Sequence, residues 1–254
     1  MGRASDDAGD DRARGRRQAG LRRRARLPVL PLRVALVTGA RGGIGAAIVV
    51  RLEADGWAVH GVDVEDGDLT TPVGNRAVVD AALAEYGRLD AIVPNAGFQH
   101  VAPVRDFPEE RWDALIALLL TSPFLLAKYA WDALAASGDG RICVVASAHA
   151  LAASPFKAGY VAAKHGVLGL VKTLALEGAA AGICATAVCP GFVRTPLAER
   201  QVEERGLDAV IERHAIKRML GPEEVADVVG FLVGPSGRGF TGVPVPIDLG
   251  WTAA

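Results

Sequence analysis

Short apolar runs alternate with helix-length segments along nearly the whole chain, and this alternation constrains the fold more than any other feature. From residue 33 onward, each run rich in Val, Ile, Leu and Ala is followed by a segment with helical spacing. Strands are predicted at 34–37, 58–64, 91–93, 142–146, 184–188 and 244–248, and helices at 44–55, 75–86, 109–136, 160–178, 196–213 and 223–232. This order predicts an α/β fold: a single-domain Rossmann-type doubly wound parallel sheet with helices on both faces.

The composition agrees with such a sheet. Half of the 254 residues are hydrophobic but only 6% are aromatic, which is typical of the aliphatic core around parallel strands. The formal net charge of −1 gives no reason to expect a nucleic acid or an anionic membrane as a partner. The longest apolar run, residues 114–127, is shorter than the roughly 20 residues of a spanning helix, so we expect a buried helix there.

Three cysteines, Cys143, Cys184 and Cys189, lie within or at the end of apolar runs. Buried structural thiols in a reducing compartment are the simplest interpretation, which favours a cytoplasmic protein. Their spacing from the histidines does not match a metal site, so no metal ligands are expected.

Residues 1–31 differ from the rest of the chain. They contain nine arginines and four aspartates and have almost no apolar side chain to bury before Leu27. We predict a disordered Arg-rich tail, or an over-extended start of the reading frame, followed by one domain at 32–254. A targeting peptide is a weaker alternative, because the segment lacks a secretory apolar region and is rich in aspartate.

A glycine-rich turn joins the first predicted strand to the first helix, with the sequence Thr38-Gly39-Ala40-Arg41-Gly42-Gly43-Ile44-Gly45. Glycines at this position allow the backbone to approach a pyrophosphate, which the N-terminus of the helix then binds. The glycine spacing is not the usual G-x-G-x-x-G, but the strand–turn–helix context favours a dinucleotide site. We expect Gly39, Arg41, Gly43, Ile44 and Gly45 to contact the cofactor.

Asp63 ends the second strand, where a carboxylate can bind both ribose hydroxyls of NAD and repel the additional phosphate of NADP. Arg41 could instead bind that phosphate. The sequence therefore favours NAD and leaves NADP as the less favoured alternative.

Tyr160 and Lys164 lie one helical turn apart on one face of a predicted helix. A nearby ammonium group stabilises a phenolate and lowers the pKa of the phenol, which makes Tyr160 a candidate general acid or base. Ser147 ends a predicted strand, and ligands bind at the carboxyl ends of parallel strands. It is therefore a candidate donor to a substrate oxygen.

These motifs, in this order, resemble the short-chain dehydrogenase/reductase family from about residue 33 to residue 254. The resemblance implies that Ser147, Tyr160 and Lys164 are catalytic and that Tyr160 and Lys164 also contact the cofactor. It further implies a homotetramer. It adds these expected cofactor contacts: Asn95, Ala96, Gly97, Pro190, Gly191, Val193 and Thr195. The chain departs from the family at Leu119, which replaces an Asn that holds a water for proton relay.

Four hydrogen-bond donors near these motifs, Gln99, His149, Lys157 and Gln201, have no matching acid and suggest an anionic small-molecule substrate such as a carboxylate. The sequences around Gln99, His149 and Lys157 and the ending Gly250-Trp251-Thr252-Ala253 resemble family members that oxidise D-3-hydroxybutyrate to acetoacetate with NAD.

That resemblance implies that these four residues and Trp251 surround the substrate with Ser147 and Tyr160, under a lid at about 196–218. Phe192 stands where the group often has Trp, and the lid looks shorter than in that group.

Two alternative functions remain: an NADPH-dependent 3-oxoacyl or polyketide ketoreductase, and a non-catalytic NAD-sensing protein. The helix predicted at 109–136 carries more apolar surface than one core face needs, so we expect it to pack against a second copy.

Overall fold

The computed structural model describes residues 32–253, apart from the side chains of Leu197, Arg200, Gln201 and Arg205. The predicted disordered tail lies outside the described residues, as does the side chain of Gln201. Both therefore stay predictions.

Six parallel strands form one sheet in the order β2–β1–β3–β4–β5–β6, which confirms the predicted fold class. The strands are β1 (Val34–Thr38), β2 (Ala58–Val62), β3 (Ala91–Val93), β4 (Gly140–Val145), β5 (Ile183–Pro190) and β6 (Pro244–Ile247). Each lies within two residues of its predicted bounds, because a buried parallel strand is a continuous apolar run that is easy to recognise.

Eight α-helices accompany the sheet in the described part of the chain. They are α1 (Gly43–Ala54), α2 (Pro72–Tyr86), α3 (Glu109–Ile116), α4 (Ser122–Ala136), α5 (Ala158–Gly178), α6 (Pro196–Arg205), α7 (Leu207–Ile211) and α8 (Pro222–Val233). Helix α2 begins three residues earlier than predicted, because Thr71 caps its N-terminus and Pro72 occupies its first turn. The segment predicted at 196–213 is two helices, interrupted at Gly206, where φ is +80°.

The predicted long helix over 109–136 is continuous but not regular. Between α3 and α4, residues Ala117–Thr121 form a π-helical turn. Pro123 explains the widening, since it has no N–H for the carbonyl of Leu119 and its ring would crowd that carbonyl in a regular α-helix. By length and composition the 28-residue segment could cross a membrane. One face of α4, including Leu126, Ala130 and Leu134, is instead buried in the core beside the sheet.

The helices pack on both faces of the sheet. Along β1, Val34 and Leu36 point into the core shared with α2, α4 and α5, while Ala35 and Val37 point into the core shared with α1 and α8. The alternation buries every residue of this strand, as expected for the centre of a doubly wound sheet.

The strand order reverses direction at β1, which has β2 on one side and β3 on the other. The loops that follow β1 and β3 consequently leave the same edge of the sheet in opposite directions and open a crevice between them. Ligands of doubly wound folds bind in such a crevice.

Candidate active site

The glycine-rich turn after β1 is packed so closely that only glycine fits at one position. A Cβ on Gly45 would lie 1.8 Å from the carbonyl oxygen of Gly39 and 2.7 Å from Nδ2 of Asn95. Gly39 and Gly43 adopt positive φ angles of +65° and +50°. The turn thus brings backbone N–H groups of the first turn of α1 to the crevice, which is the geometry of an anion-binding site.

Asn95 joins this turn to the end of β3. Its Nδ2 donates to the carbonyl oxygen of Thr38 at 2.9 Å, and the backbone N–H groups of Asn95 and Ala96 each donate to Oγ1 of Thr38 at 3.0 Å. These bonds hold the two loops of the crevice at a fixed spacing.

A groove of about 500 Å³ runs along the crevice and has the size of a small-molecule or cofactor site. Ten of the predicted cofactor residues line it: Gly39, Gly43, Ile44, Asp63, Asn95, Ala96, Gly97, Tyr160, Lys164 and Thr195. One stretch of its wall, residues 67–70, was not predicted. This stretch follows Asp63 in the connection between β2 and α2 and carries no recognisable motif.

Asp63 lies at the end of the groove near α1, as predicted. Its Oδ2 accepts the backbone N–H of Arg41 at 3.0 Å, and its Oδ1 accepts the N–H of Val64 at 2.9 Å. The side chain of Arg41 does not line the groove but turns toward Glu65 and Asp66.

Ser147, Tyr160 and Lys164 come together at the other end of the groove. Ser147 follows β4, and its Oγ accepts the backbone N–H of His149 at 3.1 Å and bonds to the phenol of Tyr160. Nζ of Lys164 donates to the carbonyl oxygen of Val145 at 2.8 Å and lies 5.7 Å from the ring centre of Tyr160. The predicted catalytic residues therefore share one buried site.

The pKa of Tyr160 differs in direction from the sequence prediction. Burial raises it above its ordinary value, and the hydrogen bond with Ser147 lowers it by less. Burial also lowers the pKa of Lys164 to about 8. Desolvation disfavours the charged forms of both side chains, so burial, rather than the ammonium group of Lys164, dominates the pKa of Tyr160.

A second cavity of about 130 Å³ opens over Ser147 and Tyr160. The predicted substrate residues Gln99, His149, Lys157, Phe192 and Trp251 all line it. So do Pro190, Gly191 and Val193, which were predicted as cofactor contacts and which the structure places in this wall instead of the groove. Thr195 and Ile44 border both spaces.

His149 is a neutral member of this wall. Burial lowers its pKa to about 3, and the positive charges of Lys157, Arg213 and His165 act in the same direction. Its Nε2 lies 3.0 Å from Oγ of Ser154, and its ring packs against Tyr160, Phe192 and Trp251. At neutral pH it can donate a hydrogen bond but adds no charge.

Trp251 reaches the cavity through a C-terminal turn built around Asp248. The carboxylate of Asp248 accepts the N–H groups of Gly250 and Thr252, each at 3.0 Å. The guanidinium of Arg213, which the sequence analysis missed, lies 4.1 Å from the centre of the Trp251 ring. An exposed arginine in a charged segment gives no sequence signal that distinguishes it from an ordinary solvated side chain.

Leu119 occupies the place where the family carries Asn. It lies in the π-helical turn, is 2% exposed and packs with Leu115, Ala163 and Tyr160. It also lines the groove and borders a small void of about 10 Å³ next to Lys164. An apolar side chain therefore fills the position where the family resemblance expects a polar group.

A family model described as enoyl-(acyl carrier protein) reductase matches residues 39–252, which include both cavities and every described site residue. The chain belongs to the short-chain dehydrogenase/reductase family.

Two relatives and one solved structure illustrate the range of this family. The chain is 35% identical to D-beta-hydroxybutyrate dehydrogenase of Rhizobium meliloti over 255 residues, covering 87% of this chain and 99% of that protein. It is 31% identical to a 3-oxoacyl-(acyl-carrier-protein) reductase of Thermotoga maritima over 239 residues, covering 86% and 97%. The structure of a 3-ketoacyl-(acyl-carrier-protein) reductase from Brucella melitensis complexed with NADH superposes with a TM-score of 0.80, 27% identity and coverage of 87% and 98%.

The protein is thus an oxidoreductase of the short-chain dehydrogenase/reductase family, whose members use a nicotinamide cofactor. The geometry fits such a group. Gly45 permits the first turn of α1 to pack closely on the glycine-rich turn, Gly39, Gly42 and Gly43 line the groove, and the same groove is lined by Asp63, Tyr160 and Lys164.

Proposed function

We propose that this protein transfers a hydride between NAD and a small 3-hydroxy acid, with D-3-hydroxybutyrate and acetoacetate as the preferred pair. The observation that carries the proposal is the second cavity, which is small, lies directly over Ser147 and Tyr160, and is lined by donors. The similarity to D-beta-hydroxybutyrate dehydrogenase supports the same substrate class.

The volume of the cavity limits the size of the substrate. A cavity of about 150 Å³ accommodates benzene, which has six non-hydrogen atoms, so a space of about 130 Å³ suits a ligand of similar or slightly smaller size. A four-carbon hydroxy acid is close to that size. The small volume favours such an acid over the 3-oxoacyl and polyketide substrates of the ketoreductase alternative.

The charge of the cavity favours an anion. Among its described lining residues, Lys157 carries the only formal charge at neutral pH, because His149 is neutral. Lys157 is 6% exposed, so little water screens its ammonium group. A carboxylate is therefore a better occupant than a neutral ester or a thioester.

The proposed chemistry uses the residues at the base of the cavity. When the 3-hydroxyl is oxidised, Ser147 holds the oxygen and Tyr160 accepts its proton in the deprotonated phenolate form, which burial makes the less favoured one at neutral pH. A bound nicotinamide ring supplies the hydride acceptor, so the carbon loses a hydride as the carbonyl forms. In the reverse direction Tyr160 returns the proton to the oxygen of the 3-oxo acid. Lys164 would contact the cofactor ribose. The intact set of Ser147, Tyr160 and Lys164 argues against a non-catalytic NAD-sensing role.

NAD is the proposed cofactor because of Asp63. Its carboxylate is fixed by two backbone N–H groups at the end of the groove, where it can accept hydrogen bonds from the adenosine ribose. A phosphate on that ribose would meet a negative charge.

Loss of the positive charge of Lys157 should weaken binding of the acid substrate. We expect Lys157→Met to lower kcat/KM for D-3-hydroxybutyrate about 30-fold, mainly by raising KM, because a charged hydrogen bond contributes about 1.5–3 kcal/mol. Steady-state rates over a range of acid concentrations measure this change. Lys172→Met is the matched control, since Lys172 lies on the exposed side of α5 and outside both cavities.

The same variant separates the substrate classes. If the cavity binds a carboxylate, Lys157→Met lowers activity toward the acid much more than activity toward its methyl ester. Equal losses for acid and ester would contradict the proposed role of Lys157.

The remaining sequence predictions belong to the same proposal. Trp112 and Phe124 on the helical segment from α3 to α4 are 40% and 44% exposed, which supports packing of this segment against a second copy in a homotetramer. The segment 196–218 would act as the substrate lid, since Phe192, which lines the small cavity, packs against its buried residues Ala198, Val210 and Ile211.

A further inference from the structure

The side chain of Arg41 is bound by two carboxylates that no sequence motif singled out. Its Nη2 donates to both oxygens of Asp66, at 3.0 and 2.9 Å, and its Nη1 donates to Oε2 of Glu65. Arg41 belongs to the glycine-rich turn after β1, and the two acids follow β2. The contact therefore joins the turn after β1 to the segment after β2, next to Asp63 in the groove wall.

The residues after β2 are ordered so that they hold this contact. Oδ2 of Asp66 accepts the backbone N–H of Asp63 at 2.8 Å, while Asp63 accepts the backbone N–H of Arg41 at 3.0 Å. The same short segment thus fixes the ribose-side carboxylate of Asp63 and binds the guanidinium of Arg41. An arginine whose two terminal nitrogens bond two different carboxylates is oriented as well as attracted.

The local charge is negative despite the arginine. The guanidinium of Arg41 pairs with Glu65 and Asp66, and the carboxylate of Asp63 accepts the backbone N–H of Arg41, so three carboxylates lie near one cation. The side chain of Arg41 is 54% exposed, so it could reach a ligand if it were released. In the described wall of the groove, which Arg41 does not line, Lys164 is the only cation, and it lies near Tyr160.

We propose that Glu65 and Asp66 are cofactor-specificity residues, which keep Arg41 from binding a 2′-phosphate. This inference rests on the proposed use of NAD. To bind NADP, Arg41 would have to leave both carboxylates, and a phosphate with a charge of about −2 would then approach Asp63. Asp63 disfavours NADP by repulsion, while Glu65 and Asp66 remove the one cation that could compensate.

The test measures binding of NADH and NADPH without substrate, by the fluorescence of the reduced nicotinamide. We expect the double variant E65Q/D66N to bind NADPH about tenfold more tightly than the wild-type chain, because two exposed ion pairs no longer hold Arg41. NADH affinity should change less than about threefold, since Asp63 stays in place. The single variant E65Q, which leaves the bond between Asp66 and the Asp63 backbone intact, should show a smaller gain in the same direction.

Adding Arg41→Ala to the double variant decides between two explanations. If Arg41 binds the phosphate once it is released, this third substitution removes most of the gain. A gain that survives Arg41→Ala would mean that the acids act only by repulsion, and it would overturn the proposal. No gain in either variant would overturn it as well.

These outcomes are separate from those that test the proposed function. Absence of turnover with 3-hydroxybutyrate leaves the binding result intact. If the wild-type chain prefers NADH but the variants show no increase in NADPH affinity, only the role of Glu65 and Asp66 is contradicted. Equal affinity of the wild-type chain for both cofactors contradicts that role and the proposed NAD dependence together.

Discussion

Tyr160→Phe should lower kcat about 10³-fold, because the side-chain oxygen of Tyr160 is the proposed proton carrier, as phenolate in oxidation and as phenol in reduction, and no described neighbouring side chain replaces it. Tyr160 is partly buried, bonds to Ser147 and borders both the groove and the small cavity. Phenylalanine has nearly the same shape, so the packing with Leu119 and Ala163 stays intact. Binding of NADH should change less than about threefold, since the loss is in chemistry and not in cofactor contacts.

Tyr129→Phe is the matched control for this prediction. Tyr129 lies on α4, where its ring stacks under Arg76, and phenylalanine keeps that contact. Initial rates with saturating cofactor and acid compare the two variants. If Tyr160→Phe kept more than about a tenth of the wild-type kcat, Tyr160 would not be the general acid or base.

Gly45→Ala should both destabilise the protein and abolish cofactor binding. The new Cβ would lie 1.8 Å from the carbonyl oxygen of Gly39, and neither backbone segment is a flexible end that can move aside. We expect a loss of about 3 kcal/mol of stability. In a domain of this size the corresponding fall in Tm is about 5–10 °C. Thermal unfolding and NADH titration measure the two effects.

Gly42→Ala, three residues earlier in the same turn, is the control for stability. A Cβ on Gly42 meets no atom within 4 Å, and its φ of −151° suits any residue. Its Tm should stay within about 3 °C of that of the wild-type chain, because alanine restricts the unfolded chain more than glycine does but is less favourable than glycine at this N-cap position. Equal Tm values for Gly45→Ala and Gly42→Ala would contradict the close contact between Gly45 and the carbonyl oxygen of Gly39.

The sheet could be predicted from the sequence because its strands are central and parallel. Val34–Thr38 and Ala91–Val93 are continuous apolar runs between clear turn residues, and burial on both faces leaves no other interpretation. The proximity of the proposed catalytic residues could be predicted for a related reason. Ser147 follows a strand, and Tyr160 and Lys164 share one helical face, so local geometry already determines their direction.

Other features depend on contacts between distant segments, which a local pattern does not report. The π-helical turn at Ala117–Thr121 had a local signal in Pro123, but helical periodicity alone could not locate it. The contact of Arg41 with Glu65 and Asp66 depends on how the ends of β1 and β2 meet. The raised pKa of Tyr160 depends on the depth of burial, which spacing along the chain does not contain.

The most direct test of the proposed function is the rate of reduced-cofactor formation with D-3-hydroxybutyrate, measured in parallel with NAD and NADP. We expect turnover with NAD, and a kcat/KM with NADP that is at most about a tenth of the kcat/KM with NAD, because Asp63 repels the additional phosphate of NADP. Turnover confined to NADPH and 3-oxoacyl thioesters would contradict the proposal and favour a ketoreductase. Cofactor binding without turnover on any 3-hydroxy acid would contradict the catalytic role itself.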